Sequence, residues 1–168
     1  MSYTLRPLAT DHRLDSFDSG TPPLDEWLRR RARNAAGQGI RTYVLIDEKS
    51  DAVDGYFALA PHLLARDEAP RSIGRGASAR IPAILLAKLA LDQRLHGRGL
   101  GAELLIHALT TIVAAARTAG GRIIVVDAID DNAAAFYRAH DFQPTPDDPQ
   151  RLVMKLSTAA RALSLPWP

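Results

Sequence analysis

The 168-residue sequence contains no cysteine. This absence excludes disulfide bonds, a cysteine nucleophile and a metal site built on thiolates. Lysine is also scarce, because only three of the 21 basic residues are lysine and the rest are arginine. Arginine forms planar, bidentate hydrogen bonds with phosphate, although a preference for arginine can equally follow from genome composition. With a net charge of only +2, the composition permits phosphate binding without requiring it.

Long apolar runs are missing too. The most apolar stretch, residues 81–91, contains Pro82 and Lys88 and is too short to span a bilayer. Residues 1–6 lack the apolar run of a signal peptide. We therefore expect a cytoplasmic protein that does not bind a membrane. The length is that of one domain, which we expect to cover residues 1–168.

The order of local patterns predicts an α/β or α+β fold. Alternating or continuously apolar segments predict strands at residues 3–8, 41–46, 53–60, 83–91, 122–129 and 151–156. Apolar residues at helical spacing predict a helix from Leu24 to about Gly37, a second from Leu100 to about Gly120, and a short third capped by Asp130 or Asp131. The connector at 61–82 is long, and such loops are usually functional or mobile. We expect a mixed sheet of six or seven strands covered by helices.

The first predicted helix has a buried and an exposed face. The predicted buried positions are Leu24, Trp27, Leu28, Arg31 and Ala35. The predicted exposed positions are Glu26, Arg29, Arg30 and Arg33.

The segment most indicative of chemistry is the glycine-rich run at 89–101, Leu-Ala-Leu-Asp-Gln-Arg-Leu-His-Gly-Arg-Gly-Leu-Gly, between a buried strand and an amphipathic helix. Glycines let the backbone approach a ligand closely, and the first turn of the helix presents unpaired N–H groups and a positive dipole end. Together these features suit a pyrophosphate. The glycine spacing differs from a Rossmann fingerprint, and no GK[ST] ending marks a P-loop. A tight turn without a ligand is the structural alternative.

This run resembles the acetyl-CoA motif of GNAT N-acetyltransferases, Gln/Arg-x-x-Gly-x-Gly/Ala, with His96 in the Gln/Arg place, followed by Gly99 and Gly101. The resemblance implies a GNAT fold with a splayed central strand, acetyl-CoA as co-substrate and no metal. It also implies that the strand end pairs with the pantetheine arm and that the loop takes the pyrophosphate. The implied cofactor-binding residues are Leu89, Ala90, Leu91, His96, Gly97, Arg98, Gly99, Leu100, Gly101 and Ala102, with Asn132 and Phe136 from a second segment.

That second segment, residues 130–142, is similar to the family's Asn/Asp…Ala…Phe-Tyr…Gly-Phe pattern, with Asp141 where glycine is usual. The resemblance implies that Tyr137 is catalytic and donates a proton to the departing CoA thiolate. The chemistry is sound, because a thiol has a pKa of about 8.5 and a phenol of about 10 stays protonated at neutral pH. Alternatively, Tyr137 is a half-buried packing residue beside Phe136.

Further segments at 24–28, 41–45, 55–59 and 81–90 resemble one GNAT subgroup, the toxins of type II toxin–antitoxin pairs. Those toxins acetylate the α-amino group of aminoacyl-tRNA and so block translation. The resemblance implies three partners for this chain: aminoacyl-tRNA, a ribbon-helix-helix antitoxin and a second copy in a homodimer.

Evidence for RNA binding from the residues themselves is weaker. The candidates are Arg29, Arg30, Arg33, Arg75 and Arg80, which could contact phosphates or could simply be solvated. No RRM or KH motif is present. Glu26 and Asp92 are candidate general bases by residue type only, and an esterified amino acid has an amine weak enough to need no strong base.

Two other functions stay open at this point. One is a GNAT acetyltransferase that acts on a small-molecule amine or a protein amino group. The other is a non-enzymatic module that binds only CoA or an antitoxin, against which Tyr137 argues.

Overall fold

The structure, a computed structural model, describes residues 2–168. The strands are β1 (Tyr3–Pro7), β2 (Arg41–Asp47), β3 (Val53–Ala65), β4 (Arg80–Leu91), β5 (Ile123–Asp127), β6 (Gln143–Pro144) and β7 (Arg151–Lys155). The α-helices are α1 (Pro22–Arg30), α2 (Ala32–Ala35), α3 (Arg71–Gly74), α4 (Leu100–Ala119), α5 (Asp131–Ala139) and α6 (Leu156–Ala162). The strands form one sheet in the order β1-β2-β3-β4-β5-β7-β6. The predicted mixed sheet of six or seven strands is confirmed, with seven.

The chain divides into two compact units. The first contains the residues up to Ala60 together with Ala87–Ala108, and the second contains Pro61–Leu86 and Leu109–Pro168. A single domain over residues 1–168 stays a prediction.

The first unit holds the meander of β1, β2 and β3, whose strands pair in antiparallel fashion. Its core includes Phe17, Leu28, Val44 and Tyr56, each 2% exposed or less. Burial of each such side chain contributes about 1.5–3 kcal/mol. The buried Tyr56 hydroxyl donates a hydrogen bond to the Leu24 carbonyl at 2.7 Å, which ties the first helix to the sheet.

Helix α1 begins with two prolines, as suits a first turn whose N–H groups lack helical partners. It ends at Arg30, and the C-cap residue Arg31 has a φ of −119°. After this break the buried position is Ala32, while Arg31 is exposed. The prediction that Arg31 is buried was therefore wrong, because an unbroken helical period was assumed across the break. Gly39, with φ of 90°, ends the helical segment near the predicted place.

The second unit is built around the parallel pairing of β4 with β5, in register from Ala83 with Ile123 to Leu86 with Val126. Strand β7 pairs antiparallel with the other edge of β5. The apolar side chains of these strands form a separate buried cluster with the connector.

The predicted long loop at 61–82 was wrong at both ends. Strand β3 continues to Ala65 and β4 begins at Arg80, so only residues 66–79 connect them. This connector contains α3, and its Ile73 is 1% exposed. Pro82, the last residue of the predicted connector, lies inside β4, where its carbonyl accepts from the Arg122 N–H at 2.8 Å.

Helix α4 has the predicted buried stripe. Leu104, Leu105, Ala108, Ile112 and Ala116 are each 3% exposed or less. By length and composition alone α4 could cross a membrane, a test that the core helix of a soluble protein also passes. The short strand β6 and helix α6, in the segment after α5, were not predicted.

Candidate active site

The end of β4 extends past its pairing with β5. The parallel ladder finishes at Leu86 and Val126, and Leu89, Ala90 and Leu91 lie beyond it. These three residues are half-buried or buried. They are the residues for which the sequence predicted contact with a pantetheine arm.

The turn after β4 is fixed by the carboxylate of Asp92, which is 1% exposed. It accepts hydrogen bonds from the Arg94 N–H at 3.0 Å, from Arg94 Nε at 2.9 Å and from the Asp18 N–H at 3.2 Å. Burial alone would raise the pKa of Asp92, but the hydrogen bonds from Arg94 and Asp18 lower it below its usual value. Asp92, a candidate base by residue type, is thus a charged group already occupied in holding the turn.

Arg94 also joins a second buried carboxylate. Its Nη2 lies 2.6 Å from Asp54 Oδ1, and Asp54 is 2% exposed. Burial raises the pKa of Asp54 above its usual value, although Arg94 opposes the shift. The Asp92 N–H donates to the Asp54 carbonyl at 2.8 Å, so backbone and side chain together anchor the turn to β3.

The backbone from Gly97 to Ala102 forms a row of unsatisfied donors, which we call the N–H cradle. None of its N–H groups finds a hydrogen-bond acceptor among residues 2–168, and the next one, from Glu103, donates to the Gly99 carbonyl at 3.3 Å. Gly97 and Gly99 have φ of 80° and 76°, a left-handed backbone that favours glycine. Unpaired N–H groups at the positive end of the 20-residue helix α4 form an anion site.

The cradle is also open. A Cβ atom added at Gly97 or Gly99 would meet nothing within 4 Å, so these glycines supply backbone conformation and room rather than close packing. The His96 side chain turns away, with Nε2 2.9 Å from the Leu91 carbonyl. His96 therefore links the cradle to the end of β4, and its own N–H already donates to the Gln93 carbonyl at 3.2 Å.

Helix α5 carries Tyr137. The Asp130 side chain caps the helix, as the sequence predicted, by accepting from the Ala133 N–H at 2.8 Å. Asp141 follows the helix with φ of 70°, a left-handed conformation that suits the glycine usual at this place. Tyr137 is 5% exposed, and its ring packs edge-to-face on Phe136 and Phe142. The ring is thus more buried than the half-buried side chain predicted as the packing alternative.

The Tyr137 hydroxyl makes no hydrogen bond within the part of the chain that the structure describes. Among the described residues only Thr42 Oγ1 is a buried side-chain polar atom without a hydrogen-bond partner, so the Tyr137 oxygen is accessible although its ring is buried. Burial raises the pKa of Tyr137 above that of an ordinary phenol. The group is therefore a protonated donor at every physiological pH.

The remaining predicted cofactor residues are more exposed. Asn132 is exposed in the first turn of α5, and Phe136 is half-buried. The Phe136 ring lies 4.7 Å from that of His140, whose Nδ1 is 2.8 Å from the Phe136 carbonyl. Arg98 is exposed beside the cradle.

The predicted RNA-binding arginines fall into two groups. Arg29 donates to the Phe17 carbonyl at 2.9 Å, and Arg33 donates to the His12 carbonyl at 2.6 Å, so both brace the loop that precedes α1. The other three, Arg30, Arg75 and Arg80, are exposed. Glu26, the second candidate base, is an exposed partner of Arg30 at 3.3 Å.

Sequence reasoning missed two charged clusters. One is the Arg94 network, for which the signal was Asp54, the only charge in the otherwise apolar run from Val53 to Ala60. The other is Arg151, whose guanidinium donates to both oxygens of Asp127 at 2.7 and 2.9 Å. Only the strand pairing of Asp127 with Arg151 brings that second pair together.

No family model matches the sequence. The chain is 42% identical over 149 residues to a protein of Mycobacterium tuberculosis described as a tRNA-acetylating toxin, and the match covers 88% of each chain. It is 25% identical over 157 residues to a probable toxin TacT of Sinorhizobium fredii, covering 88% of this chain and 87% of that one.

The chain is also similar to solved structures of toxins. AtaT complexed with acetyl-methionyl-tRNAfMet has a TM-score of 0.87 and 26% identity, over 96% of this chain and 99% of that one. AtaT bound to the C-terminus of the antitoxin AtaR and to acetyl-CoA has a TM-score of 0.81 and 25% identity, over 96% and 98%.

Fold and N–H cradle together define an acetyl-CoA-dependent N-acetyltransferase of the GNAT type, as the motif predicted. Within that class, the chain belongs to the family of tRNA-acetylating toxins.

Proposed function

We propose that this chain transfers the acetyl group of acetyl-CoA to the α-amino group of aminoacyl-tRNA and thereby blocks translation. The observation that carries the proposal is the 42% identity with a tRNA-acetylating toxin over 88% of the chain. The AtaT structure with acetyl-methionyl-tRNA supports the same acceptor class. The reaction takes place in the cytoplasm, where charged tRNA is found.

The N–H cradle is the proposed binding site for the pyrophosphate of acetyl-CoA. A pyrophosphate carries the negative charge that unpaired N–H groups and a helix N-terminus favour, and the backbone from Gly97 to Ala102 offers both. Leu89, Ala90 and Leu91, beyond the end of the β4–β5 ladder, are the proposed partners of the pantetheine amides. Asn132 and Phe136 complete the proposed set of binding residues.

Tyr137 is the proposed general acid. The neutral amine attacks the thioester carbonyl carbon, a C–N bond forms, and the C–S bond then breaks to release a thiolate. The thiolate takes the phenolic proton, and the phenolate regains a proton from the positively charged nitrogen of the adduct, which leaves a neutral amide. An unpartnered, protonated hydroxyl suits this step, because no internal hydrogen bond has to break before it donates.

No carboxylate is assigned as a base. Asp92 is engaged by Arg94 and Asp18, and Glu26 pairs with Arg30 on an exposed helix face. The α-amino group of an esterified amino acid is already largely neutral near pH 8, so water can accept the proton of the fraction that is still charged.

The proposed protein partners are a ribbon-helix-helix antitoxin and a second copy of the chain. AtaT structures that contain the antitoxin AtaR support the first of these.

Release of free thiol tests the proposal with little background, because the protein itself has no cysteine. With acetyl-CoA and charged total tRNA, we expect thiol to appear in proportion to the charged tRNA. The matched control is the same tRNA after mild deacylation, which should release none. Equal release with both preparations, or release only with small amines, would assign the enzyme to a different acceptor.

A further inference from the structure

Two surface cavities along α1 and α2 share several lining residues. The first, of about 340 Å³, is lined by Pro23, Glu26, Trp27, Arg30 and Arg31. The second, of about 260 Å³, is lined by Trp27, Arg30, Arg31, Asn34, Ala35 and Gln38. Trp27, Arg30 and Arg31 belong to both, and we call the combined surface the Trp27 groove.

Tyr56 and Lys88 both contact the indole of Trp27. The Tyr56 ring lies nearly parallel to it, at 9° with centroids 6.0 Å apart, and Lys88 Nζ lies 5.7 Å from its centroid. Lys88 shares a face of β4 with Ala90, which belongs to the same buried cluster as Tyr56. Both contacts therefore come from the sheet, and the rest of the half-buried ring lines the groove.

The two arginines of the groove are available to a ligand. The guanidinium of Arg31 makes no hydrogen bond or ion pair with any residue from 2 to 168. Arg30 pairs only with Glu26, and the two side chains are 76% and 59% exposed, so that ion pair contributes little. Arg29 and Arg33, by contrast, are bonded to loop carbonyls.

The helix break creates this arrangement. Had α1 continued without interruption, Arg31 would lie on the buried stripe, as the sequence predicted. The change of backbone direction at φ of −119° instead buries Ala32 and brings Arg31 beside Trp27 and Arg30.

We propose that the Trp27 groove binds the unpaired nucleotides at the 3′ end of the acceptor RNA. Trp27 provides a stacking surface for a base, and Arg30 and Arg31 contact the neighbouring phosphates. Proteins recognise single-stranded RNA by this combination of aromatic rings and arginines. An acidic peptide would satisfy the arginines, but it would match the indole only if it also carried an aromatic side chain. The inference rests on the proposed function for its choice of RNA.

Tryptophan fluorescence can test the groove without any catalysis. The chain has two tryptophans, so Trp167→Phe leaves Trp27 as the sole reporter. The probe is an acceptor-stem RNA minihelix with a single-stranded CCA end, and its control is the same stem with a blunt end. We expect the CCA minihelix to quench Trp27 fluorescence saturably and the blunt stem to leave it nearly unchanged.

Affinity for the same probe should respond to two variants. Trp27→Leu should weaken binding about tenfold or more, since stacking on one aromatic ring is worth roughly five- to 150-fold. Arg31→Gln should weaken it several-fold and reduce the salt-dependence slope by about 1. The matched control is Arg161→Gln, which removes an exposed arginine from α6. Melting temperatures identify any variant that fails to fold, and acetyl-CoA affinity should not change.

Equal quenching by both stems would contradict RNA binding in the Trp27 groove. The same conclusion would follow if the Trp27→Leu and Arg31→Gln proteins bound RNA as tightly as the Arg161→Gln protein does. Variants that bind RNA normally but lose a cognate antitoxin would overturn RNA binding there in favour of a protein partner. Acetylation of a charged minihelix by the parental protein separates the two proposals. If the parental protein does not acetylate the charged minihelix but the CCA end still quenches Trp27 fluorescence, the proposed function is wrong and RNA binding in the Trp27 groove is supported.

Discussion

The N–H cradle and the surroundings of Tyr137 contrast in what each offers a substrate. The cradle presents a row of backbone donors without acceptors, and added atoms at Gly97 or Gly99 would meet nothing within 4 Å. Tyr137 is 5% exposed among aromatic rings and presents a single hydroxyl. In the proposed reaction the first region supplies charge and space, and the second supplies one proton. We expect substitutions in the cradle to change affinity and loss of the hydroxyl to change turnover.

Tyr137→Phe should have the largest effect. Phe keeps the ring and its contacts and removes only the hydroxyl, which has no internal partner to lose. General acid catalysis is worth about 10²–10⁴-fold, so kcat should fall by that factor while the Kd for acetyl-CoA stays constant. Stability should change by about 1 kcal/mol or less. A Tyr137→Phe enzyme that matches the parental kcat would show that water or substrate protonates the thiolate.

Gly101→Glu should give the complementary result. A carboxylate in the first turn of α4 is compatible with the helix but competes with the pyrophosphate for the same N–H groups. Loss of two charge-assisted hydrogen bonds, at about 1.5–3 kcal/mol each, should raise the Kd for acetyl-CoA a hundredfold or more. Calorimetry measures this, with Ala115→Glu, exposed on the same helix, as the matched control. Unchanged binding by a folded Gly101→Glu protein would remove the cradle from the cofactor site.

Arg94→Gln should produce a smaller loss of affinity by an indirect route. Arg94 touches no part of the cradle's donor row but neutralises Asp54 and Asp92, which hold the turn that leads into it. Its side chain is 63% exposed, so solvent weakens the pair, and we expect about a tenfold increase in Kd with a lower Tm. Arg122→Gln, an exposed change elsewhere, is the control. A lower Tm with an unchanged Kd would limit Arg94 to stability.

The smallest expected effect concerns alkaline pH, where titration of Tyr137 should cause no fall in rate. Because burial raises the pKa of Tyr137 above about 10, its acid form is fully present throughout the neutral and mildly alkaline range. The rate should rise as the acceptor amine loses its proton and then remain level up to pH 9. A decline above pH 8 in single-turnover rates would indicate an acid other than Tyr137.

The fold was largely predictable because its signals are local. The stripe of α4, the Asp130 cap and the left-handed Asp141 each follow from neighbouring residues. The errors arose where tertiary packing overrides local preference. Pro82 is accommodated inside β4, and the break at Arg31 shifts which side of the helix is buried.

The same distinction between local and long-range signals applies to the candidate site. Glycine spacing before a helix indicates the cradle, because backbone donors need no long-range partner. The Arg94 network joins residues 54, 92 and 94 through contacts that only the folded sheet creates. For the same reason, the sequence could not distinguish Arg29 and Arg33, which brace a loop, from Arg30, which pairs only with the exposed Glu26.

Mass analysis of the aminoacyl adenosine tests the proposed reaction most directly. Charged total tRNA is incubated with the protein and acetyl-CoA, then digested to release the 3′-terminal aminoacyl nucleoside. We expect the mass of one added acetyl group on the α-amine of at least one aminoacyl adenosine, and its strong reduction with Tyr137→Phe over the same time. Aminoacyl adenosines of unchanged mass, with acetyl-CoA bound and the protein folded, would contradict the assignment of aminoacyl-tRNA as acceptor.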